Sequence, residues 1–577
     1  MPTTWPHAPV AVLGAGPVGQ TTALLLARWG VPTIVLDQRR ERDRVGSKAI
    51  CQQRDVLDIW DAVGAGAQIA AEGVTWTTAR TFHRDTELFA IEFAEAGRPA
   101  FPPFVNISQA RTEEILDGRI AAEPLVEVRW GSRVVHVDHD RSGVEVRIED
   151  GGVVRAPYLV VCGGARCDDL RDLLGIGFDG HSFDDRFLIC DIRADLPGWA
   201  TERRFYFDPG WNPGRQVLIH PCPDSTFRVD WQVPAGYDLA AEVASGALDA
   251  RIRRIVGDRD YEIVWKSVYR FQSRVADRMR IGRVLVAGDA AHLVAPFGAR
   301  GLNSGVADAE NAAWKIAWVG YGWSPDALLQ TYHDERHAAA VENVAVTTAT
   351  MDFLVPQDET RARYRADVLA AAAHEPDSRA RVDSGRLAEP FWYVESRLTT
   401  EAGHRPFPGR PPRGQLPPAG PGVLLPDAPV TRPDGTTGPV RTLARDGFLL
   451  LTAQGTDLDA VRAAATGALP GPVRVLALAD LDPDGTLAGA LDARRGEVWV
   501  VRPDAHVAAA LVDPTAHDIV AALQRAAAHA SPADSPVTGS RERRTPSGPQ
   551  TPCRPVDGSA CSSRTRRRAA GHGGPPP

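Results

Sequence analysis

The sequence predicts an α/β chain of 577 residues. It reads as a Rossmann-like nucleotide-binding domain carrying an inserted β-sheet domain, followed by a smaller α/β domain. Three observations carry this reading. A glycine-rich turn between an apolar run and a helix-like run stands at 10–29, with a second apolar run and an acid behind it. Another strand–loop–helix pattern stands far downstream, at 284–317. Between them the chain turns to alternating, β-branched and aromatic runs, and a Pro/Gly/Arg stretch at 405–414 opens something new.

The first pattern is Val10-Ala11-Val12-Leu13-Gly14-Ala15-Gly16-Pro17-Val18-Gly19. It is a short strand running into G-x-G-x-x-G. Gly14 permits the tight turn, Gly16 lets backbone approach a pyrophosphate, and Gly19 lets the helix pack on the strand. Pro17 stands within the motif. An Ala/Leu helix from Gln20 to Trp29 ends at Gly30. Thr33-Ile34-Val35-Leu36 is then the second strand, ending in Asp37 and Gln38. Asp37 falls where a carboxylate is expected on a ribose hydroxyl. This motif alone does not separate NAD from FAD.

The second pattern begins with Val284-Leu285-Val286-Ala287, which delivers Gly288-Asp289. A Gly/Pro loop follows, and a long helix starts near Gly301-Leu302-Asn303. A carboxylate at a strand end can accept from a ribityl hydroxyl. A glycine loop entering a helix presents free N–H groups and the positive end of the helix dipole. Together they suit the N1/O2 edge of a reduced flavin.

With both motifs present, the chain resembles the aromatic-hydroxylase type of FAD-dependent monooxygenase, over about residues 8–400. Within that group it is most similar to 3-(3-hydroxyphenyl)propionate, phenol and aromatic polyketide hydroxylases. Gly46-Ser47-Lys48-Ala49-Ile50-Cys51 resembles the segment lining the flavin, with Lys48 where the family usually has Arg. Gln109, with Glu113 and Leu116, resembles a helix start whose Gln faces the flavin. Val134 falls where the family's chain passes the adenine. Tyr332-His333-Asp334-Glu335-Arg336 resembles the helix after the flavin domain, and His292 looks like structural support for the flavin loop. The resemblance implies non-covalent FAD, NADPH or NADH as co-substrate, and O₂. The oxygen atom would pass from a flavin C4a-hydroperoxide to an electron-rich ring. Epoxidation and Baeyer–Villiger insertion remain open as related chemistries.

Two departures stand out. The family's D-G-A-R-S-x-V-R motif is replaced by Gly163-Gly164-Ala165-Arg166-Cys167-Asp168-Asp169-Leu170-Arg171. Gly163 stands for the Asp, Cys167 for the Ser, and one residue is inserted. That motif is associated with both FAD and NAD(P)H, so a flavoprotein with impaired NAD(P)H use, an oxidase or FAD-binding module, is the alternative. Arg300 stands where Gln is common, adding positive charge near the flavin loop.

The formal charge of −8 argues against nucleic acid as the main partner. Hydrophobic content of 44% and charged content of 24% are those of a soluble globular protein. There is no signal-peptide pattern, and no apolar run of about 18 residues to span a membrane. Seven Cys form no C-x-x-C pair and no zinc pattern, which points to reduced cytoplasmic thiols and no metal.

The predicted organisation is an FAD-binding monooxygenase region over 1–400, with a substrate β-sheet mainly from 74–105 and 176–270. A linker over 401–415 and a Cys-free domain over 416–528 follow. The last resembles the thioredoxin-like domain of the same monooxygenase subgroup, and its role is read as structural or homodimer-forming. A Ser/Pro/Arg/Gly-rich tail, 529–577, reads as disordered. The fold class is thus α/β, Rossmann-like FAD-binding domain with inserted β-sheet substrate domain plus thioredoxin-like domain. Helices are expected over about 325–400. No catalytic side chain announces itself. A phenolic or polyketide-derived aromatic substrate would gain from a base or acceptor at its hydroxyl. Tyr206, His220, Asp230 and Tyr269 on the substrate sheet are the candidates.

Overall fold

The computed structural model describes residues 4–42, 49–93 and 98–529. The Lys48 and tail expectations lie outside the described residues, except that His529 is described.

The nucleotide-binding sheet has six strands, ordered Arg280–Ile281, Val284–Val286, Leu159–Val161, Val10–Leu13, Thr33–Leu36 and Val126–Arg129. All pair in parallel except the edge strand Arg280–Ile281. The inner strands are continuous apolar runs because helix Pro17–Arg28 packs on them and the three-stranded sheet of Val134–His139, Val144–Ile148 and Val153–Ala156 shares their core. Helix Pro17–Arg28 packs on the sheet, and helix Arg300–Gly320 packs against that helix. Strands separated by nearly the whole region thus become neighbours: Leu13 lies beside Val161, and Val161 beside Val286. Both glycine loops therefore open from one end of one sheet, outside the carboxyl ends of its parallel strands.

The inserted sheet has eight strands. Their order is His292–Leu293, Tyr261–Ala276, Phe178–Ala194, Thr226–Val233, Gln216–Cys222, Glu202–Phe207, Thr78–His83 and Thr86–Glu92. Directly paired residues share a face, so register sorts the side chains. Ile189 pairs with Asp230, Asp230 with Leu218, and Leu218 with Phe205. That face looks toward the nucleotide-binding region. The opposite face, with Leu188, Cys190, Val229, Trp231, Val217 and Tyr206, forms a separate apolar core under helix Ala247–Val256.

Helices Ala327–Leu354 and Glu359–His374 follow, then a single-turn helix Pro376–Arg381. The helical expectation to about 400 therefore overreaches. Gly385 and Pro390 punctuate an irregular strap, and Gly385 sits at φ +91. The 401–415 segment is irregular but not loose. Arg405, with its side chain 5% exposed, lies over the Trp499 ring and donates to Glu497 at 2.8 Å.

The last sheet is ordered Val473–Ala477, Phe448–Thr452, Glu497–Val501 and Val507–Val512. Its first pair is parallel and the others antiparallel. Helix Leu458–Ala465 makes the parallel crossover, and helix Ala516–Ala526 covers one face behind a Thr515–Asp518 capping box.

Buried ion pairs lock this unit to the rest. Glu335 accepts from Lys315 at 2.6 Å and from Arg502 at 2.6 and 2.9 Å, and Arg502 also pairs with Asp504. Arg445 donates to Glu310 at 2.6 Å and to Asp58 at 3.2 Å, while Arg441 reaches Asp55. Among the described residues no single helix is long and apolar enough to cross a membrane. No group of three or more His, Cys, Asp or Glu among them could hold a metal.

Candidate active site

The three glycines of the first motif do three different things. Gly14 has φ +99, and a Cβ there would stand 2.5 Å from the Cys162 carbonyl oxygen. A Cβ on Gly19 would stand 1.9 Å from the Gly14 carbonyl oxygen, so helix and turn touch through hydrogen alone. Gly16 has nothing within 4 Å of where its Cβ would be. It faces open space, just where the helix N-terminus directs its free N–H groups. Pro17 takes the first helical position, where no N–H is needed. Asp37 is fixed from several sides. It accepts from Ala15 N–H at 2.8 Å, and Arg39 adds its own N–H and a two-pronged guanidinium contact at 3.0 and 2.9 Å. Burial works to raise the Asp37 pKa, but the Arg39 and backbone donors outweigh it and hold it below the ordinary value.

The second motif sits on the same opening. Gly288–Ala290 is a single 3₁₀ turn that leaves Asp289 exposed to the cavity. Helix Arg300–Gly320 begins behind Ala299 in the left-handed region, with Gly301 and Leu302 in its first turn. The loop rests on a fully buried trio. Asp308 accepts from Gly288 N–H at 2.9 Å and from Arg336 at 2.6 Å, and shares a hydrogen bond with His292 at 2.7 Å. Burial alone would raise Asp308; Arg336 and His292 override it and hold it at about 2. Arg300 does not add a free charge to the loop. It is 2% exposed and donates to the backbone carbonyls of Arg386 and Leu387 and to Asn343.

One cavity of about 800 Å³ gathers most of the expected residues. Gly14, Gly16, Pro17, Asp37, Gln38, Gln109, Val134, Asp289, Gly301 and Leu302 line it, and so do His220 and Asp230. Five expected positions among the described residues do not. Gly19 packs under the turn. Gly288 is buried against Val18. Asn303 has its amide engaged with the Cys51 and Ala299 carbonyls and the Gln53 N–H, so it staples strand Cys51–Gln53 to the helix. Tyr206 is on the far face of the sheet, because it alternates with Phe205 and Phe207, and it stacks on Phe82. Tyr269 is on the near face but beyond the cavity edge, against Trp265.

The sheet wall combines rings with a small polar cluster. Phe187, Phe271, Phe297 and Leu218 supply the apolar part; Phe187 stacks on Phe271 at 4.6 Å. His220 Nε2 lies 3.9 Å from Asp230 Oδ2, and Arg228 is paired with Asp191 at 2.8 and 3.0 Å. Among the described residues His220 Nδ1 and Asp230 Oδ1 have no hydrogen-bond partner. Burial, with Arg203 and Arg228 nearby, pushes the His220 pKa well below its ordinary value. Burial pushes Asp230 up to about 7, against the pull of Arg228. The sign of its effect on stability follows. A carboxyl raised in the folded state stabilises fully below its unfolded pKa of about 3.9, and that contribution is lost as pH rises through about 7. Asp230→Asn is therefore expected to gain in melting temperature relative to wild type as pH is raised from 5 to 8. A difference that stays flat across this range would contradict the raised pKa.

The middle motif explains itself in three dimensions. A Cβ on Gly163 would stand 2.4 Å from the Cys167 sulfur. The Cys167 side chain occupies the space that a side chain at 163 would need, so the two substitutions go together. Arg171 remains buried and donates to the Ala290 and Ala165 carbonyls, its guanidinium 3.9 Å from the Phe178 ring centre.

The sequence reading missed Arg39, Arg203, Arg228, Phe187 and Phe271. For the sheet residues a signal existed: Arg203, Phe205 and Phe207 alternate with Tyr206, and period two alone assigns them to one face.

The donor set fits FAD. Two helix N-termini and two carboxylates face one cavity that has a ring-lined wall. A family profile described as an FAD binding domain matches residues 7–347, and the chain belongs to that family. It is 31% identical over 373 residues to a 3-(3-hydroxy-phenyl)propionate/3-hydroxycinnamic acid hydroxylase of Mycobacterium sp. (strain KMS), covering 64% of this chain and 63% of that protein. The chain thus spans less than two thirds of that relative's length. It is 33% identical over 348 residues to a dialkyldecalin synthase of Streptomyces rugosporus, covering 59% of this chain and 72% of the relative. Among solved structures it is similar to the flavin-dependent monooxygenase PieE in complex with FAD and substrate, with TM-score 0.76, 25% identity, and coverage of 90% and 99% of the two chains.

Proposed function

We propose that the protein is an FAD-dependent monooxygenase that uses NAD(P)H and O₂ to hydroxylate an aromatic substrate, phenolic or polyketide-derived. The observation that carries this is the shared cavity. The two nucleotide motifs and the inserted sheet, far apart in sequence, close on one space. The relatives named as hydroxylases and the likeness to PieE support it. FAD, when bound, supplies the electron relay from NAD(P)H and the activation of O₂.

The protein's own residues do the rest. The Gly14–Gly16 backbone and the start of helix Pro17–Arg28 would hold the pyrophosphate. Asp37 would meet a ribose hydroxyl and Asp289 a ribityl hydroxyl. The N–H groups at Gly301 and Leu302 would face developing negative charge on the ring. Phe187, Phe271 and Leu218 keep water from the reacting face. Asp230 Oδ1 can accept the proton of a phenolic hydroxyl, and a pKa near neutrality suits it to give that proton back. We read 1–400 as carrying this chemistry and the thioredoxin-like 416–528 unit, which has no Cys in its sequence, as structural or dimer-forming.

A second reading has its own observation. The Gly163–Cys167 pair removes a carboxylate and a hydroxyl from the cavity rim, and one relative is named a dialkyldecalin synthase rather than a hydroxylase. The protein would then bind FAD but use NAD(P)H poorly. Anaerobic stopped-flow reduction by NADPH and NADH, with and without phenols, separates the two. The monooxygenase reading expects substrate-stimulated reduction in wild type. The second reading expects slow reduction that rises about ten- to hundredfold in Gly163→Asp/Cys167→Ser, as one charge-assisted contact is restored. Gly163→Asp alone clashes with the thiol, so only the double change tests the site.

A further inference from the structure

The inserted sheet floors two cavities. Beside the first lies a second of about 500 Å³, closed by the irregular strap around Trp392 and by residues 413–419. Arg203 and Leu387 line both. Register explains the arrangement. Arg228 pairs with His220, and Arg203 lies one residue beyond the Arg204–Ile219 pair. Arg203 pairs with Ala79, and Ala79 with Ile91. This row crosses the sheet on one face. Arg228 and His220 belong to the first cavity, Ala79 and Ile91 to the second, and Arg203 to the seam. From His220 to Ile91 is three strand steps, about 14 Å.

Arg203 is 3% exposed. Among the described residues its guanidinium has no hydrogen-bond or ion-pair partner; its ring contact is Phe205 at 5.6 Å. The charges around it do not balance it. Arg228 already holds Asp191. Asp230, raised by burial to about 7, carries only part of a charge at neutral pH, and His220 is neutral there. The wall therefore holds one desolvated cation without an anion of its own, a costly arrangement unless a ligand completes it.

We propose that the substrate is an elongated, mainly apolar aromatic carboxylic acid whose carboxylate sits on Arg203, with the ring to be oxidised in the first cavity and the remaining body over Ala79 and Ile91 in the second. The fate of the ring rests on the monooxygenase reading; the binding geometry does not.

The test is equilibrium binding to the FAD-loaded full chain, read as perturbation of flavin absorbance and quenching of tryptophan fluorescence. The probes are 2,3-diphenylpropanoic acid, whose carboxyl stands between its two rings, and its carboxamide, with benzoic acid and benzamide as short partners. Wild type should bind the long acid about tenfold or more tighter than its amide. Arg203→Met should remove that preference and leave amide affinity within about twofold. Ile91→Trp should weaken the long acid about fivefold or more and spare benzoic acid. Arg203→Gln at matched FAD content serves if Arg203→Met does not fold.

Equal binding of acid and amide by wild type, or no binding of either up to solubility, overturns the proposal. So does a preference that survives loss of Arg203. A shift in flavin potential with acid preference unchanged assigns Arg203 to the cofactor and overturns it as well. NADPH oxidation is measured in parallel. A protein that keeps the acid preference but is not reduced by NADPH sinks the monooxygenase reading alone; one that is reduced but shows no preference sinks this inference alone.

Discussion

Replacing Glu335 with alanine is expected to destabilise the protein by about 3–5 kcal/mol, the usual effect of breaking a buried ion pair from one side. The reason is the number of donors on one carboxylate. Glu335 accepts from Lys315, Arg502, Asn311 and Ser396, and it is 3% exposed. Arg502 keeps Asp504 when Glu335 is removed; Lys315, fully buried, keeps no carboxylate at hydrogen-bond distance among the described residues. Burial already pushes Lys315 down to about 8 despite Glu335, so in the variant it would be neutral at pH 7. Urea unfolding at pH 7 measures the effect. Adding Lys315→Met should recover more than about half of the loss, because an apolar side chain leaves neither an unpaired buried amine nor the cost of neutralising it. A loss under about 1 kcal/mol would mean that water reaches Lys315 and that the weld is weaker than its geometry.

Gly19→Ala is expected to weaken FAD binding about ten- to hundredfold, corresponding to about 1–3 kcal/mol of overpacking. A Cβ 1.9 Å from a backbone oxygen cannot be accommodated by rotating a side chain. The helix must move away from the strand by about 1 Å, carrying with it the N–H groups that face Gly16. Flavin content after gel filtration and a titration with FAD would report it. Gly16→Ala is the control, since its Cβ has open space without ligand. Its loss of affinity would come only from crowding the bound pyrophosphate. Full flavin retention in Gly19→Ala would show that the turn has slack absent from the structure.

The two nucleotide motifs were legible because local chemistry dictates them. Gly14 needs positive φ, Gly19 needs the absence of Cβ, and Asp37 and Asp289 end apolar runs. What the sequence hid was set by register and by distant partners. Tyr206 and His220 both looked usable on a strand, and only pairing shows that they lie on opposite faces. Asn303 sits beside Gly301 and Leu302 in sequence, yet its amide turns to strand Cys51–Gln53. Gly163 and Cys167 looked like two losses and are one steric exchange. The role of Arg502 depends on Glu335, 167 residues earlier, and no local pattern carries that.

That separation also has a temporal side. During synthesis Glu335 and Lys315 leave the ribosome well before Arg502. At about 5–20 residues per second, 167 residues take about 8–33 s. Through that interval the helix carrying Glu335 is short of one of its buried cations, and Asp58, beside the cavity segment, lacks both Arg441 and Arg445. The nascent N-terminal region can form its parallel sheet, and every described residue that lines its cavity, up to Leu387, precedes the last sheet in the chain, so what arrives late is the set of buried ion pairs that welds the unit on.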